Sequence, residues 1–375
     1  MDFALSDEQQ MLRDTIRELL DRHYDTEKRN KVIDTDPGWS QDVWGKFAEI
    51  GALGLSFAED DGGLGAGPVE TMTVMGEIGR RLAPEPLLDG VLVPGGLIAA
   101  VGTADQRAQL LHKIAGGRTV LAFAHLEPAV RWPTRQITTV ATDSGGTWTV
   151  TGTKNPVLRG DVADSLVVSA ALPAGGIGLF LVHPRAEGLH RQSYRTYDGL
   201  RAAQIEFTAT PAELLGDGTD ASTQIDAAVV AAQAALGAEA VGIMEEVLRL
   251  TTEYLKQRKQ FGVPLAKFQT LTQRAADMYV SLELARSMSL YATMALADGT
   301  VDPVIAARAK LQIGRAARHI GQEAIQLHGG IGITAEYPVG HYVARLTAIE
   351  HTWGATDDHL RTVAAGIGDY DKVEL

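Results

Sequence analysis

The spacing of apolar residues changes twice along this chain, and those changes limit the folds that it can adopt. Residues 1–117 carry apolar side chains at helical spacing, whereas residues 118–218 hold short runs rich in strand-forming residues, separated by turn residues. Long helical patterns return over residues 219–375. The sequence therefore predicts a mostly α protein with a β middle domain, divided at these boundaries into a helical domain, a β domain and a second helical domain.

Capping and turn residues locate some of the predicted elements. Ser6 followed by Gln9 is typical of a capping box that starts a helix ending near His23, and a second helix is expected between Ser40 and Gly51. Further helices are predicted over residues 68–82 and 103–114. A hairpin is predicted over residues 138–151, with later strands at 166–170, 179–182 and 205–207.

Composition excludes several classes of function. The 375 residues are 45% hydrophobic, which is enough for a sizeable core, and the net charge of -13 argues against binding to nucleic acid or to anionic membranes. The absence of cysteine rules out disulfides and thiolate chemistry, and we predict no metal site. The first residues do not resemble a signal peptide, and no apolar run approaches the roughly 18 residues of a membrane helix. We therefore expect a cytoplasmic protein.

Two stretches in the last third of the chain carry the most specific signal. The first reads Gln-Arg-Lys-Gln-Phe-Gly over residues 257–262 and is soon followed by Phe268 and Gln269. The second reads Gln-Leu-His-Gly-Gly-Ile-Gly over residues 326–332. A guanidinium group pairs with two phosphate oxygens at once, and glycine allows backbone amides to approach an anion closely. The second stretch does not follow a predicted strand, so a Rossmann-type loop is excluded.

With these stretches, nearly the whole chain resembles the acyl-CoA dehydrogenase family, and most of all the small subunit of heteromeric, pimeloyl-CoA-type members. The resemblance implies a helical N-terminal domain, a β-barrel-like domain and a C-terminal four-helix bundle. It also implies FAD as the cofactor and an oligomer, because the second stretch serves the FAD of a neighbouring subunit in this family. The implied cofactor-binding residues are Arg258, Phe261, Gln269, Gln326, Gly329, Gly330 and the backbone amide of Leu158.

Several of these residues also have a simpler interpretation. Arg258 fits a surface residue of a helix, and Phe261 fits either a cofactor contact or a plain core position. Gln326 with its two glycines fits the C-cap of a helix. His328, which lies between them, is interpreted as a packing residue.

The family's catalytic carboxylate is missing from both positions where the resemblance places it. Trp353 stands at the position before the loop glycine Gly354, and an indole cannot accept a proton at neutral pH. Ala232 stands at the alternative position on an earlier helix. The nearby acids are Glu239, Glu350, Asp357 and Asp358; Glu350 is the weak candidate for a replacement base, although we favour its interpretation as a solvated loop carboxylate.

The flavin-facing segments of the β domain also depart from the family pattern. A Thr-Glu-Pro motif with a Gly- and Ser-containing loop is represented here by residues 126–132, of which only Glu127 and Pro128 match. A Trp-Ile-Thr segment appears as Pro156-Val157-Leu158, so the threonine hydroxyl is lost while a backbone amide remains. The stretches that contact FAD elsewhere are thus kept better than the ring contacts.

The resemblance implies α,β-dehydrogenation of an acyl-CoA thioester, with electron-transfer flavoprotein as the electron acceptor. Because both base positions lack a carboxylate, we expect a heterotetramer in which a homologous subunit supplies the catalytic Glu. Dicarboxylic acyl-CoA and the CoA thioesters of sterol side chains are both open as substrates. Two alternatives also stay open: a non-catalytic structural subunit, and a homo-oligomeric dehydrogenase with a displaced base.

Overall fold

The computed structural model describes residues 4–366 and 368, except residues 129, 131, 134 and 135. Helices occupy both ends of the chain and strands its middle, as the periodicity predicts. The helices are α1 (Asp7–His23), α2 (Thr26–Ile33), α3 (Gln41–Ile50), α4 (Pro68–Arg81), α5 (Val93–Val101), α6 (Ala104–Ala115), α7 (Ser222–Gln257), α8 (Gln269–Ala297), α9 (Pro303–His328), α10 (Pro338–His351) and α11 (Thr356–Ala365). The strands are β1 (Leu121–Ala124), β2 (Val140–Asp143), β3 (Trp148–Leu158), β4 (Ser165–Ala171), β5 (Ile177–Val182), β6 (Leu189–Arg195), β7 (Arg201–Leu215), β8 (Lys259–Gln260) and β9 (Val263–Pro264).

Helix ends near the N-terminus follow the capping signals. Ser6 and Gln9 form both hydrogen bonds of a capping box at the start of α1. Ser40 caps α3, and Gly51 ends that helix with a φ of +83°, which glycine adopts without a Cβ clash. Helix α2 and the π-helical turn Leu88–Leu92 that leads into α5 were not predicted, because the first has few apolar residues and the second is apolar on every side.

The middle strands form a seven-stranded sheet whose pairing closes on itself. Strand β4 pairs with β2, then β3, β7 and β5 follow in order, and β5 pairs again with β4. The predicted hairpin is confirmed, since Val140 of β2 lies opposite Thr151 of β3 in antiparallel register. Strand β6 was missed because its residues are mostly polar and exposed and none of them is buried. The barrel-like middle domain implied by the resemblance is therefore present.

A charged cluster lies inside the sheet. The side chain of Lys154 is 0% exposed, and its Nζ donates to Glu127 Oε1 at 2.8 Å, to the His125 carbonyl at 3.0 Å and to Ser169 Oγ at 3.2 Å. Glu127 also accepts from the backbone amides of Thr138 and of its neighbour Thr139, at 2.7 and 2.9 Å. Because every hydrogen of the ammonium group has an acceptor, the charge is tolerated without water.

These contacts also shift the ionisation of the cluster. Burial raises the pKa of Glu127, but the Lys154 ammonium and the hydrogen bonds to the carboxylate outweigh it and lower the pKa to about 2. Burial, and to a lesser extent the charge of Lys154, lowers the pKa of His125 to about 3. At neutral pH the cluster therefore contains a carboxylate and an uncharged imidazole.

Internal contacts divide the chain into two compact units. The sheet unit comprises residues 31–71 and 84–232, and the second unit, here called the C-terminal unit, comprises residues 1–30, 72–83 and 233–375. These limits do not coincide with residues 1–117, 118–218 and 219–375. The division into three domains at those boundaries stays a prediction.

Helix α7 is more apolar than the sequence analysis allowed. By length and composition it is the one helix, in the part of the chain that the structure describes, that could cross a membrane, with an 18-residue window of mean hydropathy 1.6. The expectation that no segment approaches that length is therefore wrong. Since 78% of the window is buried inside the protein, the apolar surface of α7 is accounted for by packing, and a single helix of this kind is weak evidence for a membrane span.

The buried ion pair of the sheet unit yields a stability prediction. Replacing Lys154 with Met should lower the free energy of unfolding by about 3–5 kcal/mol, because the Glu127 carboxylate would remain buried without its cation. Urea denaturation followed by circular dichroism measures the loss. As a matched control, Lys46→Met removes an exposed ion pair with Asp42 and should change stability by less than about 1 kcal/mol. Equal effects of the two substitutions would contradict the assigned role of Lys154.

Candidate functional site

Residues 257–262 form a tight hairpin between α7 and α8. Strands β8 and β9 pair Lys259 with Pro264 and Gln260 with Val263. The loop residues Phe261 and Gly262 have φ angles of +52° and +79°, as in a two-residue turn with left-handed backbone at both positions. Phe261 is 92% exposed, so its interpretation as a core residue is wrong. The hairpin instead presents an aromatic ring to whatever lies outside this chain.

The polar residues beside this hairpin are available to a ligand. Arg258 and Gln269 are exposed, and neither side chain has a hydrogen-bond or ion-pair partner among the residues that the structure describes. Gln269 is the first residue of α8, and the N-cap residue Phe268 makes no side-chain capping bond. The amide of Leu271 donates to the Phe268 carbonyl at 3.0 Å, whereas the amides of Gln269 and Thr270 have no acceptor among the described residues, which suits an anion.

The second stretch ends α9 and places its polar groups on the surface. Gly329 has a φ of +65°, and its amide donates to the carbonyls of Gln326 and Ile325, which closes the helix. The C-cap interpretation is therefore correct for the backbone. It does not exclude a ligand role, because the side chain of Gln326 is exposed and a Cβ at Gly330 would meet no atom within 4 Å.

An aromatic cluster joins the ends of the two stretches. The ring of Tyr254, one turn before Arg258, lies 4.5 Å from the ring of His328 and 6.3 Å from that of Tyr337, and the last two rings are 5.0 Å apart. His328 is buried, its Nδ1 bonds the Ala324 carbonyl at 2.8 Å, and burial lowers its pKa. The prediction that His328 is a packing residue is confirmed.

The loop between α10 and α11 carries Trp353 at the position expected for a base. Trp353 is 6% exposed and has a φ of +55°, which is unusual for an aromatic residue. Its carbonyl accepts from Gln233 Nε2 at 2.8 Å and from His359 Nε2 at 3.1 Å. Burial lowers the pKa of His359 to about 4, so the ring is uncharged at neutral pH and its Nε2 carries the proton. Ala232, the other expected base position, precedes Gln233 and is also buried.

None of the nearby acids is a free carboxylate poised beside Trp353. Glu239 is buried and makes a two-pronged ion pair with Arg345, at 2.6 and 2.9 Å. Glu350 is 8% exposed and lies on α10, where it accepts from Arg318 at 2.7 Å and from Thr356 Oγ1 at 2.9 Å. The expectation that Glu350 is a solvated loop carboxylate is therefore wrong.

The aspartates after the loop belong to α11. Asp358 Oδ2 accepts from the backbone amide of Ala355 at 3.0 Å and so caps the helix, while Asp357 is exposed on its first turn. Neither geometry is that of a base held in a closed pocket.

The flavin-facing residues predicted in the sheet unit are placed by strand β3. Leu158 is the last residue of β3, lies opposite Ala202 of β7 and is half-buried. Glu127 is not a surface residue but the acceptor of the Lys154 cluster. Ala129 and Arg131, from the same departing segment, lie outside the described residues.

One buried cation beside the loop of Trp353 was not predicted from the sequence. Lys310 of α9 donates from Nζ to the Ile349 carbonyl at 2.6 Å and to the Thr352 carbonyl at 3.0 Å. Burial lowers its pKa to about 7. A signal was available, because Lys310 interrupts a helical face that is otherwise formed by Ala306, Ala307 and Ile313.

Known proteins match the chain along nearly its whole length. Models of the acyl-CoA dehydrogenase N-terminal and C-terminal domains match residues 6–118 and 223–368. The acyl-CoA dehydrogenase IpdE2 of Mycobacterium tuberculosis is 30% identical over 90% of this chain and 91% of its own. The short-chain specific acyl-CoA dehydrogenase of Clostridium acetobutylicum is 28% identical over 93% of this chain and 95% of its own.

Solved structures share the fold. The Tcur3481-Tcur3483 steroid ACAD, solved as a variant, superposes with a TM-score of 0.89 and 31% identity, covering 97% of this chain and 98% of its own. Butyryl-CoA dehydrogenase from Megasphaera elsdenii superposes with a TM-score of 0.88 and 25% identity, covering 98% and 100%. The exposed guanidinium of Arg258, beside the first amides of α8, has the chemistry that the phosphates of FAD require. The predicted fold, enzyme class and FAD cofactor are confirmed, and the chain belongs to the acyl-CoA dehydrogenase family.

Proposed function

We propose that this chain is one subunit of a heteromeric acyl-CoA dehydrogenase, in which a homologous partner subunit supplies the catalytic carboxylate. The reaction removes a proton from the α-carbon and a hydride from the β-carbon of an acyl-CoA thioester. The observation that supports the proposal is Trp353, whose buried indole stands at the position where the family resemblance expects a base and whose carbonyl accepts two hydrogen bonds. FAD supplies the hydride acceptor when it is bound.

The buried glutamates near Trp353 do not replace the missing base. Removal of the α-proton needs an acceptor that is free to take it, and positioned acid–base groups contribute roughly 10²- to 10⁴-fold to the rate. Glu239 and Glu350 are both committed to arginine side chains, in an ion pair with Arg345 and with Arg318 respectively. A displaced base at Glu350 would require that ion pair and the Thr356 bond to open. We therefore place the base in the partner.

The cofactor residues are divided between two surfaces. Arg258, Phe261 and Gln269 surround the hairpin of the C-terminal unit and would hold the pyrophosphate and adenosine end of FAD. In the sheet unit, the backbone amide of Leu158 is the proposed flavin contact. Gln326, Gly329 and Gly330 would serve the FAD of a neighbouring subunit. The exposure of Phe261 and Gln326 supports a ligand role for both stretches, because neither side chain is covered by its own chain.

We further propose that the substrate is a bulky CoA thioester of a sterol side chain. The support is the 31% identity to a protein named as a steroid ACAD, over 97% of this chain. Electron-transfer flavoprotein is the proposed electron acceptor. Both assignments are carried by family likeness and not by a residue of this chain.

Replacing Arg258 with Ala should lower FAD affinity about ten- to a hundred-fold, because a charge-assisted contact contributes on the order of 1.5–3 kcal/mol. The measurement is the ratio of flavin to protein absorbance after gel filtration. Arg315→Ala removes an exposed arginine of α9 and is the matched control, which should keep its flavin. Unchanged flavin content in the Arg258 variant would show that the hairpin is not part of the FAD site.

Replacing Gln326 with Ala should weaken FAD binding only in the assembled oligomer, since this side chain is proposed to serve the neighbour's cofactor. Flavin release is measured by fluorescence before and after dilution below the assembly concentration. Gln322→Ala, one turn earlier on α9 and also exposed, is the control. An equal loss of FAD in isolated monomers would show that the site is not shared.

The chain alone should not dehydrogenate acyl-CoA, and activity should appear when a Glu-bearing homologue from the same cell is added. Trp353→Glu should also allow flavin reduction by acyl-CoA. Trp353→Gln, whose side chain has the shape of Glu but no carboxylate, should not. Loss of the buried indole costs roughly 3–5 kcal/mol, so both variants are first checked for folding by circular dichroism.

Two outcomes would replace this proposal. Full activity of the unmodified chain, abolished by Glu350→Gln, would establish a displaced base. A chain that stays colourless even in its complex would identify a structural subunit.

A further inference from the structure

The loop between α10 and α11 is held in one conformation by donors from outside the loop. Trp353 and Gly354 have φ angles of +55° and +98°. Glycine adopts such angles readily, but a left-handed tryptophan is strained and persists only where its surroundings determine it. The loop itself contains no residue that would favour this backbone at position 353.

Two side chains converge on the Trp353 carbonyl from different helices. Gln233 Nε2 of α7 donates at 2.8 Å and His359 Nε2 of α11 donates at 3.1 Å, and both residues are buried. A carbonyl oxygen has two lone pairs, so this acceptor is fully used. The peptide plane that follows Trp353 is therefore fixed from both sides.

Lys310 holds the start of the loop. Its Nζ donates to the Ile349 and Thr352 carbonyls, which are among those left without a partner at the end of α10. A cation at a helix C-terminus is also favoured by the helix dipole. The amino group keeps at least two hydrogens in either protonation state, so both bonds survive its titration.

Burying the ammonium group of Lys310 costs free energy that an apolar residue at the same place in the helix packing would not cost. Its side chain makes no ion pair among the described residues, and both of its hydrogen bonds go to carbonyls of this one turn. Glu350 and Arg345 of α10 act on it only from a distance, with opposite effects on its pKa. Buried charges kept for a specific contact are typical of functional positions.

The far end of the loop is fixed as well. Glu350 accepts from Thr356 Oγ1 across the loop, and Asp358 accepts from the Ala355 amide. Thr356 lies so close to α9 that a Cβ at Gly314 would be 2.4 Å from its Oγ1. The segment from Ile349 to Thr356 is thus bonded to α7, α9 and α11.

We infer that Gln233, Lys310 and His359 are positioning residues that fix the backbone of the loop carrying position 353, whichever side chain stands there. Their contacts all use backbone carbonyls, so none depends on the indole. In this chain they keep Trp353 in the site, and they would hold a carboxylate introduced at 353 in the same place. The expected effect on a carboxylate at position 353 rests on the proposed function, whereas the fixing of the loop backbone does not.

The fixed loop is tested by hydrogen exchange, measured by mass spectrometry on peptides covering residues 349–358. Gln233→Ala, Lys310→Met and His359→Ala should each speed exchange there by about ten-fold or more, since each leaves a buried carbonyl short of a donor. Exposed or peripheral counterparts are the controls: Gln322→Ala, Lys267→Met and His319→Ala. These should leave exchange in that segment unchanged.

Two results of the exchange experiment would count against the inference. Unchanged exchange in all three variants would overturn the inference. Faster exchange across the whole C-terminal unit would also count against it, because it would indicate general destabilisation. If one variant fails to fold, the other two still decide the matter.

The consequence for chemistry is tested in the Trp353→Glu background. Adding Lys310→Met should lower kcat about ten-fold or more while KM for acyl-CoA stays near its value, because the base would be misplaced and the substrate contacts kept. A rise in KM alone would contradict a positioning role. If Trp353→Glu is inactive from the start, the proposed function fails, while the exchange result on the unmodified background still stands or falls by itself.

Discussion

A positive charge can be buried only where hydrogen-bond acceptors replace water, and each compact unit of this chain contains a lysine that meets this requirement. In the sheet unit, Lys154 joins strand β3 to Glu127, which lies in the segment that departs from the family pattern, and through Glu127 to Thr138. In the C-terminal unit, Lys310 joins α9 to the end of α10. Each lysine bonds elements that are distant in sequence. Lys154 does so on the strand that ends at Leu158, and Lys310 does so beside the loop of Trp353.

The two lysines differ in how their charge is compensated. Lys154 faces a carboxylate, and although burial lowers its pKa to about 8, the ion pair with Glu127 opposes that shift. Lys310 faces carbonyl dipoles, and burial lowers its pKa further, to about 7. The first arrangement suits a permanent ion pair that joins two segments of the sheet unit. The second suits a loop whose backbone must be held while the side chain at 353 varies.

The cofactor surface and the base position belong to the same unit but are built differently. The hairpin of Arg258 and the end of α9 expose their polar groups and are joined by the rings of Tyr254, His328 and Tyr337. Trp353 and Gly354 are buried, and the carbonyls of Thr352 and Trp353 accept from buried side chains. An open surface needs a ligand or another subunit to complete it, whereas a closed loop does not. This contrast is why the chain is interpreted as a cofactor-binding subunit without its own base.

Sequence alone determined the order of helical and β segments, the capping of α1 and α3 and the hairpin of β2 and β3, because these depend on neighbours within a few residues. It also identified the family, since the motifs around Arg258 and Gln326 are contiguous. It could not assign Phe261 to the surface, Glu350 to a buried position paired with Arg318, or Lys310 to the end of α10. Those facts depend on contacts between residues far apart in the chain, such as Gln233 with Trp353, and only the tertiary structure decides which distant donor meets which acceptor.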